Sequence, residues 1–373
     1  MIYLDNAATT LVKPAPVYAA VLRAMETMAS PGRGAHSAAM RAAELVLDCR
    51  QTAAELFPVP EPEQVVFTMN ATHALNIAIT SLAAKGSRVL ISGFEHNAVT
   101  RPLRALGAEI VTAGRTLFDA DAVTEAFRAR IKDADLVVCT HVSNVFGFIL
   151  PIYEIAGLCR EHGVPLIVDA SQSAGVLEVD MRKLGAAFVA MPGHKALLGP
   201  QGTGILLCGM SGRPLLYGGS GSDSLEQEMP AYLPDRLEAG THNVPGIAGL
   251  REGIRFVLDR GREAIEHREQ QLVLHMADCF EYCDDLELFL GERGEQSGVL
   301  SLRSRSLSSE ELAARLGEHG VCVRAGLHCA PLAHESAGTL DDGTVRLSVS
   351  PFTDLRQIDA ACRAIREICA GKR

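Results

Sequence analysis

The chain has 373 residues, 47% hydrophobic and 21% charged, with no tryptophan, a composition that suits a globular protein large enough for two domains. A net charge of −10 argues against broad nucleic-acid binding, and Met1–Asn6 lacks the basic and apolar regions of a signal peptide. No apolar run approaches the roughly 18 residues of a membrane span, and ten scattered cysteines without a Cys-x-x-Cys pair predict a reducing, cytoplasmic setting.

In chain order, the polar, small-residue segment Asp5-Asn6-Ala7-Ala8-Thr9-Thr10 precedes a helix expected at about 14–28. The loop Pro31-Gly32-Arg33-Gly34-Ala35-His36 follows; taken alone, Arg33 and His36 read as solvent-facing loop residues. The next helix is expected at 37–56, with Leu45, Val46, Cys49, Ala53 and Leu56 at helical spacing. From residue 65, short apolar runs alternate with helical segments: 65–68, 89–92, 109–112, 136–140, 166–169, 188–191 and 205–208. This βαβ rhythm predicts an α/β domain with a mostly parallel, seven-stranded sheet flanked by helices, and ligands gather at the carboxyl ends of such strands.

That rule selects particular residues. After the first run, Asn70-Ala71-Thr72 opens a helix, where backbone N–H groups make an anion site; Asn70 or Thr72 could equally be a helix cap. After the second comes Glu95-His96-Asn97, with His96 able to stack on a ring or to serve as an ordinary loop histidine. His141-Val142-Ser143-Asn144 follows the fourth run, and Asp169 ends the fifth. A carboxylate closing an apolar run needs a partner, either a cap or salt bridge or the protonated pyridine nitrogen of pyridoxal phosphate (PLP). Met191-Pro192-Gly193-His194-Lys195 follows the sixth run, one α/β unit after Asp169. Lys195 thus sits on a turn between two buried strands, and burial favours the neutral amine that forms a Schiff base with a carbonyl.

Around residue 240 the rhythm ends, and helices at about 263–283, 308–319 and 353–368 mix with strands at 298–302, 321–324 and 344–348. This predicts a smaller α+β C-terminal domain, with residues 15–250 as the large domain and 1–14 plus 251–373 as the small one. The small domain carries the loop Arg324-Ala325-Gly326-Leu327-His328-Cys329-Ala330-Pro331. Positive neighbours favour a Cys329 thiolate, although one of ten cysteines can occupy a loop by chance. A zinc reading of Cys322, His328, Cys329 and His334 matches no known ligand spacing. Arg346, on an apolar strand, calls for a carboxylate partner in the protein or in a ligand.

Taken together, these motifs resemble the cysteine desulfurases, PLP enzymes of the class V aminotransferase group with the type I fold. The resemblance spans nearly the whole chain, from Tyr3–Thr10 through Glu95-His96, His141–Asn144, Val168–Gln172 and Gly193–Lys195 to Arg324–Ala330. It implies that Lys195 binds PLP and shuttles the α-proton, that Asp169 holds the pyridine nitrogen, that His96 stacks on the ring and that Gln172 meets its phenolic oxygen. It further implies phosphate contacts from Ala71, Thr72 and His194, and from Thr241 of a neighbouring subunit in a homodimer. Asn144 and Arg346 would grip the substrate carboxylate, with Arg33 and His36 as further substrate contacts. Cys329 would take sulfur from L-cysteine as a persulfide, leave alanine, and pass the sulfur to an acceptor that could be a protein. The short cysteine loop is similar to that of the second desulfurase group and the selenocysteine lyases. Pro192 replaces a serine of many relatives, Ala71 a hydroxyl residue, and Leu327 a histidine. A selenocysteine lyase, another class V transaminase or PLP lyase, and a non-catalytic sulfur carrier or metal module are the alternatives.

Overall fold

The computed structural model describes residues 1–32, 34–292 and 294–371. Its first strand, β1 (Ile2–Tyr3), is followed by helices Ala15–Thr27 and Ser37–Leu56. Seven strands then form one sheet: β2 (Val65–Thr68), β3 (Arg88–Ser92), β4 (Glu109–Ala113), β5 (Leu136–Thr140), β6 (Leu166–Asp169), β7 (Phe188–Pro192) and β8 (Gly204–Cys208). Their order is β2-β8-β7-β6-β5-β3-β4. Strands β7, β6, β5, β3 and β4 run parallel, and β8 runs antiparallel to β7 and to β2. Both faces are covered, which is why the strands read as nearly unbroken apolar runs. Along β5, for example, Val137 and Cys139 face one core while Leu136 and Val138 face the other, with Leu75 and Ile79 of helix Ala71–Leu82.

The remaining strands are β9 (Leu286–Phe289), β10 (Val299–Ser304), β11 (Val321–Cys322), β12 (Arg324–Gly326) and β13 (Thr344–Ser348). Four of them make an antiparallel sheet in the order β12-β13-β10-β9. Helices Arg262–Cys279 and Leu355–Cys369 pack through Val273, Met276, Ile358 and Ile365 into the core that holds Leu300, Leu302, Val345 and Leu347 of this sheet. Alternation along β13 therefore turns Thr344, Arg346 and Ser348 to the opposite face.

Two expectations change. The strand expected at 321–324 is two strands, β11 pairing in parallel with β1 and β12 pairing with β13, so the chain switches sheets at Val323. The helix expected to reach 283 stops at Cys279, followed by a turn. Residue 250, the expected end of the large domain, lies within helix Val244–Arg260, which packs against Ala15–Thr27 and Ser37–Leu56. No helix among the described residues is long and apolar enough to cross a membrane.

Candidate active site

The carboxyl ends of β3, β5, β6 and β7 converge on one cavity. Ala71, Thr72, His96, Asn144, Asp169, Gln172, His194 and Lys195 all line it, together with Thr140, Ser171 and Pro192. Eight residues selected from separate sequence motifs are thus brought together.

The Lys195 turn is held from two sides. A Cβ on Gly193 would fall 2.2 Å from Thr203 Oγ1, so only glycine lets this strand end approach the Thr203 segment, where the Gly193 amide donates to the Thr203 carbonyl at 2.8 Å. From the other side, Thr10 Oγ1 donates to the Lys195 carbonyl at 2.8 Å, and Thr9 Oγ1 lies 3.1 Å from His194 Nδ1. The N-terminal segment therefore clamps the lysine turn, a role its sequence did not disclose. Burial lowers the Lys195 pKa to about 8, with Asp169 opposing and Arg346 and Arg324 assisting.

Asp169 is buried at the end of β6, and its Oδ1 accepts from the Ser171 amide at 2.9 Å. His96 caps the helix Asn97–Leu106 through Nδ1, which accepts from the Ala98 amide at 3.0 Å. Burial, opposed by Asp169 and assisted by Lys195, lowers the His96 pKa to about 4, so its ring is neutral near pH 7. His194 is lowered to about 4 by burial, then by Lys195 and Lys13. Beneath them, Glu95 joins two strand ends, accepting from Ser92 Oγ at 2.5 Å and the Thr140 amide at 2.8 Å.

At the start of helix Ala71–Leu82, the cap is Asn70, whose Oδ1 accepts from the His73 amide at 2.9 Å. Among the described residues, no acceptor takes the Ala71 and Thr72 amides, which border the cavity. The Cys329 loop is tied to the same wall. Asn144 Nδ2 donates to the His328 carbonyl at 2.8 Å, and the Asn97 amide donates to the Cys329 carbonyl at 2.7 Å. His328 and Cys329 have φ of 49° and 58°, a left-handed pair costing about 1–2 kcal/mol each without glycine, which these hydrogen bonds offset. Cys329 itself is exposed.

A family model for class-V aminotransferases matches residues 2–361. The chain belongs to the class-V aminotransferase family. It is similar to a protein from Methanothermobacter thermautotrophicus named "Probable cysteine desulfurase", with 33% identity over 388 residues covering 98% of this chain and 94% of the relative. A Pyrococcus abyssi protein of the same name is 31% identical over 395 residues, covering 100% and 95%. The structure of a cysteine desulfurase from Thermococcus onnurineus, described as apo, superposes with a TM-score of 0.91 at 30% identity, covering 99% of this chain and 95% of that one. An Escherichia coli cysteine desulfurase, 24% identical with a TM-score of 0.86 and coverage of 99% and 94%, shares the fold. The fold is the type I fold of PLP-dependent transferases.

Class-V aminotransferases are generally PLP-dependent, and the donor set here suits that cofactor. An amine with a lowered pKa stands for an aldehyde, a buried carboxylate for a pyridinium nitrogen, a neutral imidazole for a ring face, and open helix N-terminal amides for a phosphate.

Other expected residues sit elsewhere. Arg346 is 2% exposed and does not line the cavity; its Nη1 donates to the Asn144 carbonyl at 2.9 Å and its Nη2 pairs with Asp5 Oδ1 at 2.8 Å. Both terminal nitrogens are engaged within the chain, while Nε is buried without a partner among the described residues. Asp5 was not singled out from sequence, because its partner lies at the other end of the chain. Thr241 lines a separate cavity with His73, Glu238 and Asn243. His36 is exposed and caps helix Ser37–Leu56, its Nδ1 accepting from the Ala39 amide at 3.3 Å, and is not brought to the Lys195 cavity in this chain. Arg33 lies outside the described residues. Around Cys329, the His328 and His334 rings stack at 5.9 Å, and among the described residues the ligand atoms of Cys322, His328, Cys329 and His334 do not gather as a metal cluster.

Proposed function

We propose that this chain is a PLP-dependent cysteine desulfurase that moves sulfur from L-cysteine to Cys329 and releases L-alanine. The observation that carries the reading is the Cys329 loop, hydrogen-bonded through Asn144 and Asn97 to the wall of the cavity that holds Lys195 and Asp169. The names of the relatives support the same activity.

In this reading Lys195 holds the cofactor covalently, Asp169 keeps its ring nitrogen protonated, and His96 packs on the ring. Gln172, whose Nε2 already donates one bond to the Ala7 carbonyl at 3.0 Å, offers its second N–H to the phenolic oxygen. The Ala71 and Thr72 amides, the Thr72 hydroxyl and His194 hold the phosphate. Pro192 lines the same cavity without a hydroxyl, so the donor set is one short there. When bound, PLP supplies an electron sink that weakens the Cβ–Sγ bond of the substrate. Lys195 Nζ moves the α-proton, and its pKa of about 8 suits both accepting and returning it. Asn144 uses its free N–H on the substrate carboxylate. Arg346 reaches that carboxylate by yielding a bond to Asp5 or to the Asn144 carbonyl. The Cys329 thiolate then attacks the substrate sulfur, forming an S–S bond as Cβ–S breaks. Exposure of Cys329 suits onward delivery of the sulfur to an acceptor, which a protein could provide.

We read the active unit as a homodimer in which Thr241 completes the phosphate site of the partner. An exposed apolar stripe on helix Ala15–Thr27, Tyr18, Leu22 and Met25, supports a covered face.

The test is a visible spectrum of the purified protein with PLP, then L-cysteine under reductant. Equal yields of alanine and sulfide, abolished in Cys329→Ser while the visible absorption stays, are expected. A cofactor-loaded protein that ignores cysteine and acts on selenocysteine would move the reading to a selenocysteine lyase. A protein that takes up no PLP would overturn it.

A further inference from the structure

A second cluster of reactive side chains lies on the helices that cover the small sheet. His275 and Cys279 stand one turn apart on helix Arg262–Cys279, so they share a face. Asp359 projects from the neighbouring helix Leu355–Cys369, its Oδ1 2.7 Å from His275 Nε2. The ligand atoms of His275, Cys279 and Asp359 all lie within 4.8 Å of one another, and the three residues are partly exposed. Cys362, one turn beyond Asp359 on the same helix, is fully buried. Two helices thus present an imidazole, a carboxylate and a thiol to one point.

We propose that His275, Cys279 and Asp359 form a site for a borderline-soft divalent transition metal, zinc foremost, that ties the two helices together. The spacing is close to what Zn–N bonds of about 2.0 Å and Zn–S bonds of about 2.3 Å impose around a tetrahedral ion, and side-chain rotation covers the difference. Nitrogen and sulfur donors select zinc or cobalt over magnesium or calcium. A salt bridge alone accounts for His275 and Asp359, but not for the Cys279 thiol within the same 4.8 Å. The site is separate from the Lys195 cavity and does not depend on the proposed desulfurase activity.

The experiment titrates the PLP-loaded protein with Co(II), in a Cys329→Ser background that removes the exposed thiol as a rival ligand. One Co(II) per chain, with the intense visible absorption of tetrahedral thiolate-ligated cobalt and displacement by Zn(II), is expected. His275→Ala and Cys279→Ser should each abolish that absorption and weaken binding at least tenfold. Asp359→Asn should weaken it too, and cofactor absorption retained in each variant reports an intact fold. Absence of stoichiometric uptake, a spectrum unchanged by His275→Ala, or a Cys279–Cys362 disulfide that binds no metal would overturn the proposal.

Discussion

In the proposed mechanism the chemistry turns on Lys195, and the burial of its amine makes a quantitative demand. Burial favours the neutral amine, with a pKa of about 8 in place of 10.5. The nucleophilic fraction therefore reaches one half at about pH 8 and is nearly complete about one unit higher. The rate at which apoprotein gains visible absorption on mixing with PLP should be half-maximal near pH 8 and level above about pH 9. A rate that keeps climbing toward the ordinary lysine pKa would show a solvated amine. The lysine turn, Asp169 and His96 were legible in sequence because each follows an apolar strand, where ligands collect. The Asp5–Arg346 ion pair was not, since its two members are joined only by the tertiary fold. An arginine flanked by Val345 and Leu347 disclosed the need for a carboxylate but not which one.

At the scale of elements, the seven strands of the large sheet were readable because burial on both faces makes them continuous apolar runs. Short elements were not. Strand β9 has four residues, and helix Pro331–Ala337 begins with the proline that reads as a loop signal but suits a first helical position. Helix Arg262–Cys279 hides another feature, Glu269, a buried carboxyl facing Gly298, where a Cβ would fall 2.5 Å from Oε2. Burial pushes its pKa from 4.5 up to about 8. Between those values the folded chain binds a proton that the unfolded chain releases, so this group makes stability fall as pH rises. At about 1.4 kcal/mol per pKa unit the effect reaches a few kcal/mol. Glu269→Gln should melt higher than the parent at pH 8, and the gap should close toward pH 4.5. Parallel melting curves at both pH values would contradict this.

At the scale of the whole molecule, one buried ion pair ties distant parts of the chain together. Arg50 of helix Ser37–Leu56 pairs with Glu238, its Nη1 lying 2.8 Å from Oε1. Glu238 also accepts from the Phe67 amide of edge strand β2 and contacts His242. Burial opposes ionisation of Glu238, yet Arg50 and His242 hold its pKa below the usual value. Arg50→Met leaves this carboxylate buried without its guanidinium, a loss of about 3–5 kcal/mol for a broken buried pair. Denaturant unfolding of the variant should show it, and a loss under about 1 kcal/mol, as for exposed pairs, would contradict it.

In the proposed mechanism the substrate sulfur must reach Cys329. Mass analysis of the PLP-loaded protein after brief exposure to L-cysteine without reductant tests this most directly. One added sulfur, located on the peptide carrying Cys329 and absent in Cys329→Ser, is the predicted result. Alanine production with no sulfur on Cys329, or unchanged in Cys329→Ser, would contradict it.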